Sequence, residues 1–128
     1  MDHPYELNLC KCIEKIDEGL YKNLNQIETY PEEIAKSALG ILLEFACQSQ
    51  NVTLISLARK KVKEINLNWL HATIPQIFSD HISLEDEWEY RRFCELLNEI
   101  APHLLPSIIT AGEQSENQDI RDAAQDFK

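Results

Sequence analysis

Glycine and valine are scarce in this chain, with three glycines and two valines among 128 residues. So few glycines exclude a fibrous glycine-periodic repeat and leave nothing with which to build a phosphate cradle. Few valines and threonines and no glycine-bounded alternating runs leave little from which to make a sheet. The longest uncharged run, Ile65 to Ser79, is shorter than the roughly 18 residues a membrane span needs, and it carries two Asn, a His and a Pro. The first residues, Met1-Asp2-His3-Pro4-Tyr5-Glu6, lack the basic start and apolar stretch of a signal peptide, so a cytoplasmic location is expected. G-x-S-x-G, H-E-x-x-H, C-x-x-C and the EF-hand pattern are all missing, which argues against an enzyme.

Positive charge is also in the minority. Twelve Lys and Arg face 22 Asp and Glu, a net charge of −10, which repels nucleic acid and anionic membranes. A basic protein partner is favoured instead, because complementary charge speeds encounter. Hydrophobic residues make up 44% of the chain, enough for the core of one domain spanning 1–128.

What is present is helical periodicity. Leu9, Ile13, Ile16, Leu20, Leu24 and Ile27 step by three and four, which predicts a first helix over about 4–24. Pro31-Glu32-Glu33 opens a second, to about residue 48, with acids at the positive end of its dipole. Asn51 caps a third, whose stripe is Leu54 or Ile55, Ala58, Val62 and Ile65. Asn66 or Asn68 starts a fourth with Leu70, Ile74, Ile77 and Phe78. Ser83-Leu84-Glu85-Asp86 reads as the start of a fifth, carrying Tyr90, Phe93, Leu97 and Ile100 and broken by Pro102. A sixth covers about Leu104–Ala111 and stops near Gly112; a seventh covers about 117–127 with Ile120, Ala123, Ala124 and Phe127.

Three of these helices share a local pattern of an aliphatic residue, Gly or Pro, any residue, and two large apolars. It occurs as Leu39-Gly40-Ile41-Leu42-Leu43, Ile74-Pro75-Gln76-Ile77-Phe78 and Leu105-Pro106-Ser107-Ile108-Ile109, and an Arg follows each in the next helix: Arg59, Arg92 and Arg121. The last unit, Leu104-Leu105-Pro106 followed by Asp119-Ile120-Arg121-Asp122-Ala123-Ala124, resembles the HEAT repeat. The resemblance covers about 31–127 and is clearest over 101–127. It implies antiparallel helix pairs stacked into a short right-handed solenoid, with the first helix covering one end, and by analogy a protein-binding surface. The periodicity itself fits either this all-α solenoid of about seven helices or an irregular helical bundle.

Cysteine and histidine give no metal-ligating pattern. Cys10 and Cys12 lie about 200° apart around a helix, so their thiols diverge. Cys10, Cys12, Cys47 and Cys94 are expected reduced and mostly buried, and His3, His71, His81 and His103 surface or capping residues, so no cofactor or metal is expected. Arg59-Lys60-Lys61-Val62-Lys63 reads as a solvated helical face.

The densest charge lies around the fifth helix. Glu85, Asp86 and Glu87 are expected in its first turn, beside Glu89. Trp88 lies about 140° from Phe93, off the apolar stripe, and shares its side with Arg92, Glu95 and Glu99. A tryptophan on a charged face is a common interface anchor. The expected binding residues are therefore Glu85, Asp86, Glu87, Trp88, Glu89, Arg92, Glu95 and Glu99. In size and acidity the chain is similar to bacterial toxin-immunity proteins, which implies a small inhibitor covering a basic nuclease toxin. The alternative is a HEAT-like scaffold whose acidity serves solubility.

Overall fold

A computed structural model describes residues 4–48 and 50–128, and His3 lies outside them. The described chain is all-helical, with no strand among its residues. Seven α-helices run α1 (Pro4–Glu14), α2 (Glu32–Ala46), α3 (Val52–Val62), α4 (Leu67–His81), α5 (Glu87–Ile100), α6 (Leu105–Glu113) and α7 (Gln118–Phe127). Two 3₁₀ segments, Leu20–Thr29 and Pro102–Leu104, join them. None of the described helices is long and apolar enough to cross a membrane.

The helix starts follow side-chain capping. Asn51 accepts from the Leu54 amide at 3.1 Å, Asn66 from Trp69 at 3.0 Å and Asn117 from Asp119 at 2.8 Å, each satisfying a donor that the first turn leaves open. Two expectations need correction. The first helix does not run to residue 24 but ends at Glu14. Gly19 adopts φ 87°, and the Glu14 carboxylate accepts from the amides of Gly19 (2.8 Å) and Tyr21 (3.0 Å), which turns the chain into the 3₁₀ segment. The apolar stripe survives the break: Leu9, Ile13, Leu20, Leu24 and Ile27 are all buried, with kinks at Asn23 and Gln26 separating the three apolar positions of the 3₁₀ segment.

The fifth helix begins three residues later than Ser83 would start it. Asp86 is the cap, accepting from the Glu89 amide at 3.0 Å, and the Glu89 carboxylate accepts from the Ser83 amide at 3.3 Å. Ser83 instead accepts from the Glu85 amide in a tight turn, so Glu85 and Asp86 precede the first turn. The cap is thus the last residue of the Ser83–Asp86 signal rather than its first. α6 ends at Glu113, next to Gly112, which is buried in the last turn where any Cβ would strike the Tyr90 phenol.

The pairs Phe78–Phe93 (ring centroids 5.3 Å apart) and His71–Ile100 (Nε2 to carbonyl, 2.8 Å) run in opposite senses along the chain, so α4 and α5 are antiparallel. α2 packs on α3 and α4, α6 on α7, and α5 on α7. Arg91 bridges α5 to α7, donating to Glu87 at 3.0 Å and to Asp126 at 2.8 Å. α1 lies against α3, where Tyr21 donates to Glu6 and Lys61 sits 4.7 Å from the centre of the Tyr21 ring. The buried side chains form one continuous cluster from Leu9 to Ala124.

Candidate protein-binding face

Along α5, Tyr90, Phe93, Cys94, Leu96, Leu97 and Ile100 are buried. At 3.6 residues per turn this leaves Trp88, Arg92, Glu95 and Glu99 on another side, at steps of four, three and four. Trp88 is 51% exposed, one of the few large apolar side chains so open. The Arg92 guanidinium lies 5.8 Å from its ring centre, a cation–π contact, and donates to Glu95 at 3.2 Å.

The structure brings Trp88, Arg92, Glu95 and Glu99 onto one face and turns the other four acids elsewhere. Glu87 pairs with Arg91 toward α7. Glu85 accepts from Ser115 at 3.2 Å, on the turn before α7. Asp86 and Glu89 line a recess of about 310 Å³ with Glu44, Gln48 and His81, where the His81 Nδ1 meets the Glu44 carboxylate at 2.5 Å. The partner of His81 is thus Glu44, 37 residues away in sequence, rather than its neighbour Asp80.

The basic run is a correction to the solvated reading. Arg59 is only 16% exposed at its side chain and crosses from α3 to α5. It donates to the Arg92 carbonyl (3.1 Å), the Ala46 carbonyl (3.3 Å) and Glu95 (2.9 Å). Lys63 meets Glu99 at 3.2 Å, and Lys61 meets Glu64 at 3.2 Å. Lys60 is exposed and lines a shallow recess of about 240 Å³ with Ser56, Arg59, Lys63 and Glu99. Glu95 and Glu99 therefore face cations of the protein itself.

Two residues of this region escaped the sequence reading. Val52, at the first position of α3, is 70% exposed. Glu44 comes to the recess from the last turns of α2. The signal for Val52 was available: it stands seven and eleven residues before Arg59 and Lys63, on one helical side.

Behind the face, burial pushes the Cys47 thiol up to about 12 and the Cys94 thiol to about 11, so both remain protonated and act as small apolar fillers. Among the described residues no three His, Cys, Asp or Glu side chains gather closely enough to hold a metal ion. A narrow apolar crevice of about 40 Å³ lies between α4, α5 and α6, lined by Ile74, Phe78, Phe93, Leu97, Leu104 and Ile108 among others. No family model, curated protein or solved structure matches the chain.

Proposed function

We propose that this protein is a non-enzymatic binding module, acting in the cytoplasm, that attaches to a basic protein partner. The observation that carries the reading is the half-exposed Trp88, set beside the recess of Glu44, Asp86 and Glu89 in a chain of net charge −10. Neither nucleic acid nor an anionic membrane suits such a surface, because carboxylates meet phosphates unfavourably.

A short HEAT-like stack of three antiparallel pairs, α2–α3, α4–α5 and α6–α7, is the architecture we favour. Supporting it are the antiparallel sense of α4 and α5, the packing of α2 on α4 and of α5 on α7, and the parallel course of α3 and α5 set by Arg59–Glu95 and Lys63–Glu99. Within that frame the most concrete role is an immunity-type inhibitor. Its carboxylates would occupy the space that a nuclease reserves for phosphates, and Trp88 would anchor the contact. A scaffold role is the second reading, favoured by the internal neutralisation of Glu95 and Glu99.

The test is a low-salt pull-down from the native source followed by salt elution. Recovery of one basic protein, released by moderate salt and inactive while bound, is the result expected. Several non-basic proteins held irrespective of salt would favour the scaffold and sink the inhibitor.

A further inference from the structure

Val52, Ser56, Arg59 and Lys63 on α3 repeat the intervals of Trp88, Arg92, Glu95 and Glu99 on α5. Each set therefore lies along one side of its helix. The ion pairs Arg59–Glu95 and Lys63–Glu99 lock the two sets at a constant offset of 36 residues (95 − 59 and 99 − 63). If the two helices keep that register for two more turns toward their amino ends, Val52 faces Trp88 (52 + 36 = 88). The two ends of the groove between α3 and α5 differ as a result. Opposite charges meet at one end, whereas the other presents a valine 70% exposed and a tryptophan 51% exposed. They are two of the five large apolar side chains standing exposed among the described residues. Helix α2 ends beside the amino end of α3, and its Glu44, with Gln48 just past its end, reaches the acidic recess, whose other walls are His81, Asp86 and Glu89.

We infer that the Val52–Trp88 end of this groove docks an apolar side chain carried on a basic segment of a partner protein, with a neighbouring Lys or Arg of that segment reaching the Glu44–Asp86–Glu89 recess. The inference rests on the basic-partner reading and narrows it to a motif, a large aliphatic or aromatic residue flanked by cations. Charge decides between occupants. Three carboxylates face one imidazole in the recess, which suits a cation and opposes a phosphate backbone. A second copy of the chain would bring −10 against −10, a repulsion that disfavours self-association.

The probes are two 12-residue peptides of equal positive charge, one with a central Leu-Trp pair among lysines and arginines, the other with Ser-Ser in its place. Binding is followed at low salt by the indole N–H resonances of the protein, with partly buried Trp69 as the internal reference for Trp88. The Leu-Trp peptide is expected to bind at least tenfold more tightly and to move the Trp88 resonance but not that of Trp69. Trp88→Ser is expected to weaken it about tenfold and Val52→Ser about threefold, and both positions are exposed enough to spare the fold. Glu44→Gln should weaken both peptides and flatten their salt dependence.

Equal affinity for the two peptides would overturn the inference, as would indifference to both serine substitutions, or self-association or polynucleotide binding lost in those variants. A natural basic partner that binds salt-sensitively yet ignores Val52→Ser and Trp88→Ser would leave the basic-partner reading standing and remove the groove. Failure of both peptides, with no salt-sensitive partner recovered, would remove both.

Discussion

Replacing Gly112 with alanine adds one methyl group to α6, and in an exposed helix that change gains about 0.5–1 kcal/mol from reduced backbone freedom. Here the new carbon would overlap the Tyr90 hydroxyl, come within 2.6 Å of Cζ of that ring and 3.0 Å of the Ala124 Cβ. Tyr90 is fully buried and its hydroxyl donates to the Ile108 carbonyl at 2.9 Å, so the ring has nowhere to go without breaking that bond. Overpacking of this kind costs about 1–3 kcal/mol, and a buried tyrosine hydroxyl left without its acceptor costs about 1–3 kcal/mol more. After the helix gain is subtracted, Gly112→Ala is expected to lose about 2–4 kcal/mol and to lower Tm by on the order of 10 °C.

Gly40→Ala is the control. Its Cβ would strike the His81 ring, but that side chain is 24% exposed and can swing outward at the expense of its contact with Glu44. The net change there is expected to stay within about 1 kcal/mol. Tyr90→Phe removes the atom nearest the added methyl. The double variant Gly112→Ala/Tyr90→Phe should therefore be more stable than the sum of the single effects by about 1 kcal/mol. Urea unfolding followed by far-ultraviolet circular dichroism measures all four proteins. Wild-type stability in Gly112→Ala, or strict additivity in the double variant, would refute the reasoning.

Two further predictions concern titration and thiol chemistry. The amides of Gly19 and Tyr21 hold the Glu14 carboxyl below its ordinary range, so its folded value lies under its unfolded value. Its contribution is then present above the usual carboxylate value of about 4 and is lost as pH falls through the lowered one. The stability advantage of the wild type over Glu14→Gln should be constant near neutrality and shrink below about pH 4; a pH-independent difference would show that the two amide bonds do not depend on the charge. Cys47 and Cys94, buried and with raised thiol values, should escape iodoacetamide at pH 8 in the native protein and react once it is unfolded in urea. Labelling of either at the rate of an unstructured peptide, read by mass spectrometry, would contradict their burial.

Helix positions were legible because each apolar stripe must face the core, and the stripes from Ile34 to Phe127 stand in the α-helices they marked, apart from Ile65, which is buried in the turn after α3. The exceptions have local causes. Leu20, Leu24 and Ile27 obey the same three-four rhythm in a 3₁₀ segment, so periodicity alone could not reveal the break that Gly19 and Glu14 impose. Ser83 reads as the cap of the fifth helix, whereas the Glu89 amide takes Asp86 as its acceptor and the Glu89 carboxylate holds the Ser83 amide outside the helix. At the candidate site, the exposure of Trp88 followed from its angle on α5. The pairing of Glu95 with Arg59 and of Glu99 with Lys63 did not, because it depends on how α3 lies beside α5, and single-helix geometry carries no information about neighbours.

The short connections between successive helices also bear on how fast this chain folds. Residues 47–51, 63–66, 82–86 and 114–117 are all that separate α2 from α3, α3 from α4, α4 from α5 and α6 from α7. Closing loops of that length costs little chain entropy, and helical proteins dominated by such neighbour contacts reach the native state in microseconds to milliseconds. The Arg59 contacts with Arg92 and Glu95 span 33 and 36 residues, so they cost more chain entropy to close than the turns between successive helices. Long-range bonds of this kind, where they form on the native side of the folding barrier, slow unfolding without hastening folding.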